Sequence, residues 1–452
     1  MLTAHAVLAH DVGVSADLPI PLSFVLIGAA WVVASTFAVV AFAWKQPRFD
    51  PARPGRPLPA WVTRAADSPL GRWTAAGAAL TFTVWVGIAA VIGPQDGENP
   101  LRGVFYVLLW VGLLVVSLAI GPVWRVVSPM RTLYRLATVR RGSTIGESVR
   151  YPAGWGYWPA AVGLFAFVWL ELASPNLGTL TTIKYWLLGY AVAMIGGAVV
   201  FGGRWFARAD PFEVYSVVAS RLSPFRRSAG TGRIVVGNPL DHLPSMPVRP
   251  GTLAVLAVLL GSTAFDSFSA RPAVENFVYD HAAALPVVSD LVGGMLLRTI
   301  GLAMFIAVVA VTFWAAAQAT GGVDRRQRRR LPGQMAHALI PIVVGYMLAH
   351  YLSYLVEGGQ DAVILLADPL DRGWDLLGPG IGDANYWLSR HPAALSTIQV
   401  LCVVAGHVVA VAAAHDKALR LLPVGHRVTG QLAMMLTIVG YSFTGLYLLF
   451  AG

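Results

Sequence analysis

The sequence has a single cysteine, Cys402, and only 12% of its residues are charged. One thiol, set in an apolar run, excludes disulfides and thiolate metal clusters within one chain. So low a charge content, against roughly 25% in soluble domains, excludes a water-soluble globular protein. Also lacking are a phosphate-cradling Gly-rich loop with its lysine, an HExxH helix and a serine nucleophile elbow. None of the common soluble-enzyme signatures is present.

What is there is apolar sequence in long runs: 56% of 452 residues are hydrophobic. Runs of ~20 apolar residues suffice to cross a bilayer. They fall at about 21–44, 73–93, 103–124, 157–174, 184–203, 251–266, 293–317, 334–357, 393–414 and 431–450. The expected fold is therefore all-α, a polytopic transmembrane helix bundle of about ten spans forming one domain over residues 21–452. The formal charge of +10 does not point to nucleic acid, because most of the 33 basic residues lie in alternate loops. Those loops run from Lys45 to Arg72, Arg125 to Arg150, Arg204 to Arg249, Arg325 to Arg330 and Lys417 to Arg427. By the positive-inside rule they face the cytoplasm, which places both termini outside (N-out/C-out) in a multi-pass protein expected in the plasma membrane. The lipid bilayer is its first partner.

Residues 1–20 read as an external segment. They lack a basic n-region, and Asp11 and Asp17 interrupt a short apolar stretch, unlike a signal peptide. The alternative is a longer natural N-terminus supplying a signal cleaved just before His10. His10 would then offer an amine plus imidazole to copper.

Two cytoplasmic stretches look alike, VWRVVSPMRTLYRLATV after the third span and RWFARADPFEVYSVVASRL after the fifth. In each, Ser128 or Asp210 can cap a helix begun by Pro129 or Pro211. Apolar residues recur at helical spacing beside arginines, so both read as amphipathic helices on the cytoplasmic membrane surface. Residues 73–140 and 157–225 then read as duplicated hairpin-plus-helix units. The outer loop 358–392, long for such a connection, reads as a re-entrant or surface helix shielding the bundle, the alternative being a lid or binding element, and VDRRQRRR reads as an orientation signal.

Ionisable residues inside spans are costly, on the order of 3 kcal/mol each even on lenient scales, so each calls for a partner or a task. In the eighth span Tyr346, His350, Tyr354 and Glu357 share one helical face. His350 is the strongest candidate: its imidazole could bind metal, relay protons or act as a base, with Glu357 orienting it one turn further out. Glu171, Asp266 and Arg298 have the right signs to pair near the outer boundary, structurally or to attract an anion. His407 lies beside Gly406, Ala410 and Ala414, a small-residue face that suits a close helix contact. Four residues after His337, Pro341 releases a carbonyl and favours a kink. His337 and His350 are 13 residues apart, hence on nearly opposite faces, which argues against a haem pair stacked on this helix.

The stretches AHDVGVSADLPIP (9–21), GYWPAAVGLFAFVWLEL (156–172), STAFDSFS (262–269), HALIPIVVGYMLAHYLSYL (337–355) and GHVVAVAAAHDKAL (406–419) resemble a family of actinobacterial polytopic membrane proteins usually labelled fenitrothion hydrolases. The label implies cleavage of organophosphorus esters but brings no catalytic motif to carry over residue by residue. In that family the segment matching AHDVG reads AHG after a signal sequence; here Asp11 stands in the glycine's place. Phosphotriester hydrolysis needs an activated water, usually on a metal, and stabilisation of developing negative charge. The resemblance thus implies a zinc, manganese or copper site near the outer face. There His350, Asp266 and Glu171 would offer ligands or a base and Arg298 would take negative charge, with Tyr346, Tyr354 and Glu357 in support, while His350, His407 and His337 are the candidate metal ligands of a path for copper or protons. The competing readings are a transporter or a copper- or proton-handling protein, and a b-type haem protein.

Overall fold

The computed structural model describes residues 18–141, 149–175, 178–282, 289–374, 376–378 and 382–451. His10, Asp11, Asp17 and Asp375 lie outside them.

Among the described residues ten helices are long and apolar enough to cross a membrane: α1 (Leu22–Ala43), α2 (Pro69–Ile92), α3 (Gly103–Ile120), α4 (Ala153–Leu172), α5 (Leu180–Arg204), α6 (Thr252–Ser269), α7 (Asp290–Gln318), α8 (Arg325–His350), α9 (Pro392–Leu421) and α10 (Thr429–Phe450). They follow the apolar runs to within a few residues, except that α8 starts inside the arginine run and closes at His350, short of 357, and that α9 continues past 414 to Leu421. There the Asp324 carboxylate accepts from Gln327 N at 2.7 Å and caps the helix, so VDRRQRRR supplies its first turns.

Two helices form the centre of the bundle. In α6 and α8, 78% and 83% of the apolar stretch is buried, against 17–44% in the other eight. The outer eight show lipid-facing side chains such as Phe42, Val91 and Ile300. α8 packs along α9, while α6 touches α4, α7, α8 and α10. Glycine sets the α8–α9 approach: a Cβ on Gly406 would come within 2.5 Å of the Pro341 carbonyl oxygen, and one on Gly345 within 2.5 Å of the Cys402 carbonyl oxygen. The backbones therefore meet where side chains would hold them apart. Midway along α8, Ala336–Ala338 form a 3₁₀ turn carrying His337, just before the proline expected to disturb the helix.

The Arg-rich end carries a three-stranded antiparallel sheet that the apolar pattern did not announce: β1 (Arg56–Pro57), β2 (Phe225–Arg227) and β3 (Ile234–Val236), in the order β1-β3-β2. Arg227 and Arg72 both donate to Asp67 beside it, and the bonds from Arg227 hold that carboxyl below the usual range. Further in, Asp416 at the end of α9 accepts from the backbone N–H of Arg48 and of Phe49, while His415 bridges the Trp44 carbonyl and Gln431. These are structural ties between α1, α9 and α10.

Both capped segments form, with one difference. Short helices Trp124–Val127 and Phe206–Ala209 each end at an extended cap, Ser128 or Asp210, followed by a proline-started helix. The first of these, Pro129–Arg141, leaves Leu133 and Leu136 exposed, as a surface helix should. The second, Pro211–Ala219, is buried at every position and is not a surface helix. Pro211 lies against Gly163 in the middle of α4, where a Cβ would be 3.0 Å from its ring. Glu213 is neutralised by Arg131 and by Arg125 at 3.4 Å, and Asp210 is bonded by Trp124, Tyr190 and two backbone N–H groups. With its charges answered inside the protein, the segment can re-enter the bundle, a broken-helix feature that the sequence did not reveal.

Candidate functional site

The site is built where α6 and α8 cross, because these two buried helices bring Asp266 and His350 to one place at the ends that lie away from the Arg-rich loops. Asp266 lies three residues before the last residue of α6, and His350 closes α8. His350 Nε2 is 3.0 Å from Asp266 Oδ2, with side-chain exposures of 18% and 4%. The same carboxylate oxygen accepts from Tyr351 Oη at 2.8 Å. On the other edge of the ring, His350 Nδ1 is 3.0 Å from Ser267 Oγ, which in turn is 2.9 Å from Tyr346 Oη and 3.2 Å from the Thr263 carbonyl oxygen. A continuous hydrogen-bonded chain thus runs Tyr346, Ser267, His350, Asp266, Tyr351.

Local backbone changes make this possible. At Tyr351 the helix loosens (φ −99°, ψ 17°), and Tyr354–Gly358 continue as a π-helical turn. Tyr351, one residue on from His350, would point about 100° away in a regular helix; here both side chains reach Asp266 of α6. A second π-helical stretch, Gly103–Gly112 in α3, packs against the first and carries the buried Tyr106 and Trp110. π-Helical segments recur at functional sites because they redirect side chains that an α-helix would stagger. Glu171, buried at the end of α4, interacts electrostatically with Asp266 and with Tyr106, Tyr351 and Tyr354. The cluster therefore contains two carboxyls, one imidazole and several phenols inside the bundle.

Several expected placements are corrected. Glu357 does not orient His350: it is bonded to Ser389 through that residue's backbone N–H, at 2.9 Å, and its hydroxyl. Asp266 takes the orienting role. Arg298 is partly exposed on α7, and among the described residues no ion pair joins it to Glu171 or Asp266; the carboxylate that was to meet it meets His350. The three histidines proposed as metal ligands do not converge. His337 and His407 each donate Nδ1–H to a carbonyl of their own helical turn, that of Gln334 at 3.1 Å and of Val403 at 2.8 Å. Among the described residues no group of three or more potential ligands exists. Both nitrogens of His350 are already engaged by protein partners, so no lone pair remains for a metal. The residues present do not fit the metal centre that the resemblance implies.

Ser267 and Tyr351 escaped the sequence reading. Ser267 had a visible signal, adjacency to an intramembrane aspartate. Tyr351 had none, because only the loosened end of α8 turns it toward α6. No family profile, curated protein or solved structure matches the chain.

Proposed function

We propose that this integral membrane protein handles protons, and that the Asp266–His350 pair is the group that binds and releases them. One observation supports this above the rest: both charge states of His350 can be satisfied without moving a heavy atom. When the imidazole is neutral, Nε2–H donates to Asp266, Nδ1 accepts the Ser267 hydroxyl proton, and Tyr346 donates to Ser267. When it is protonated, Nδ1–H donates to Ser267 Oγ, whose own proton turns to the Thr263 carbonyl. A single hydroxyl rotation separates the two states, which is the behaviour of a relay and not of a static clamp. Ionisable groups kept inside a bilayer at such cost most often serve proton or ion movement. In the plasma membrane, with the Arg-rich end in the cytoplasm, the pair would sit in the outer half of the bundle, and proton-coupled transport is the activity this favours.

The test is proton entry into liposomes holding the purified protein and a pH-sensitive dye, driven by an imposed potassium diffusion potential. Entry above that of empty liposomes, lost in Asp266→Asn and in His350→Gln, supports the reading. Entry equal to that of empty liposomes overturns it.

A second reading is favoured by the 3.0 Å separation of Ser267 Oγ from His350 Nδ1. A hydroxyl on an imidazole that is itself held by a carboxylate has the connectivity of an activated nucleophile. Ser267 would attack the phosphorus of an ester while His350 takes its proton and passes it to the departing alkoxide, and water would then free the phosphoryl group from Ser267, a hydrolysis of the class that the family resemblance implies. Covalent labelling of Ser267 by a fluorophosphonate would promote this reading above the first.

A further inference from the structure

Away from the His350 cluster, α4 and α5 part around an apolar groove of about 660 Å³, a volume typical of small-molecule sites. Trp158 and Gly163 form one wall, Gly189 the other, and Pro211 of the re-entrant helix lies at its floor. Trp155 and Trp205 close the Arg-rich end. The small residues leave the space: a Cβ on Gly189 would meet nothing within 4 Å.

Cations stand at that end. The Arg208 guanidinium lies 5.1 Å over the ring of Tyr151, whose own ring contacts those of Trp155 and Trp205. Arg249 lies 5.1 Å over Tyr157, and Arg204 is exposed one residue before Trp205. Among the described residues none of the three has a carboxylate partner, while the two buried acids that follow Arg208 in sequence are taken, Asp210 by Trp124, Tyr190 and two backbone N–H groups and Glu213 by Arg125 and Arg131. An apolar slot ending in tryptophans and unneutralised arginines has the polarity profile of one leaflet of a bilayer.

We infer that the groove holds one acyl chain of an anionic phospholipid, with the phosphate against Arg208 and Arg204. The walls are almost wholly apolar, and the one buried donor without a partner among them, Trp205 Nε1, stands at the Arg-rich end where a headgroup oxygen would lie. Planar guanidinium groups suit a phosphate, and the tryptophans suit the level of the glycerol backbone. A zwitterionic headgroup brings its own cation to the same arginines and binds less well.

The experiment is native mass spectrometry of the full chain in detergent, titrated with phosphatidylglycerol and with phosphatidylcholine of the same acyl composition. Retention of phosphatidylglycerol should exceed that of phosphatidylcholine by roughly fivefold for each arginine engaged. Arg208→Gln should remove about one such factor, and Gly189→Phe, which fills the slot, should abolish retention of both lipids. Should Gly189→Phe fail to purify, Ala193→Phe blocks the same wall. Equal retention of the two lipids by the native chain, or undiminished retention in the filled variant that purifies, overturns the assignment.

Discussion

The imidazole of His350 stands 3.0 Å from the carboxylate of Asp266, on a different helix and inside the most buried part of the bundle. Everything asked of the site rests on that pair, and removing one member leaves the other buried without its partner.

Asp266→Ala strips the partner from both His350 and Tyr351. Leaving buried donors without their acceptor costs about 1–3 kcal/mol each, and a marked fall in the midpoint of thermal unfolding in detergent should follow. Asp266→Asn keeps the volume and one acceptor, so it should unfold nearer to the native chain while losing proton movement. Separate losses of stability and activity in these two variants would show that the carboxylate does more than hold the helices together.

Ser267→Ala cuts the link between His350 and Tyr346. It leaves a buried ring nitrogen and a buried phenol short of a partner, at a cost of about 1–3 kcal/mol. If Ser267 carries the proton, flux should fall and lose its dependence on pH in liposomes. Flux with unchanged rate and pH profile would reduce Ser267 to a packing residue.

Arg298→Gln discriminates between the pairing expected from charge and the pairing found. As His350 and Tyr351 occupy Asp266, this variant should retain proton movement within about twofold and melt within about 0.5 kcal/mol of the native chain, as surface changes do. A loss as severe as that of Asp266→Asn would return Arg298 to the site.

His242, on the Arg-rich side, predicts an acid limit. Burial, helped by Arg221, pushes its imidazole down to about 4, and Arg221 Nη1 donates to the unprotonated Nε2 at 3.0 Å. An unfolded histidine titrates near 6.5, so below that pH the unfolded chain binds a proton that the folded chain refuses. His242 should therefore cost nothing above about pH 7 and remove stability progressively between roughly pH 6.5 and 4, by at most about 3 kcal/mol. Melting temperature followed against pH should fall less steeply in His242→Asn than in the native chain.

Gly406→Leu should be among the most damaging changes. Its Cβ would be placed 2.5 Å from the Pro341 carbonyl oxygen. Overpacking of this kind costs about 1–3 kcal/mol or more, and α8 would be forced from α9. Loss of the monodisperse peak on size-exclusion chromatography, with Ala405→Leu as an outward-facing control, would register it.

The ten spans, their order and the segregation of arginines to one end were legible in the chain, because each is a local property: an apolar run must leave water wherever it occurs, and a basic loop stays out of hydrocarbon on its own account. The weight placed on His350 and Asp266 was also legible, since an ionisable residue in a span is conspicuous in one dimension. Which of them meet was decided by tertiary structure alone. Charge complementarity favoured Arg298 for Asp266 and spacing favoured Glu357 for His350, yet the crossing of α6 over α8 joined Asp266 to His350 and sent Glu357 to Ser389. Proline caps marked both short helices equally, but only Pro211–Ala219 is buried, because Arg125 and Arg131 from another segment neutralise Glu213 there. A sequence states what each residue requires; in a low-dielectric interior that requirement is met by whichever partner the packing brings within about 3 Å, and packing is a property of the whole chain.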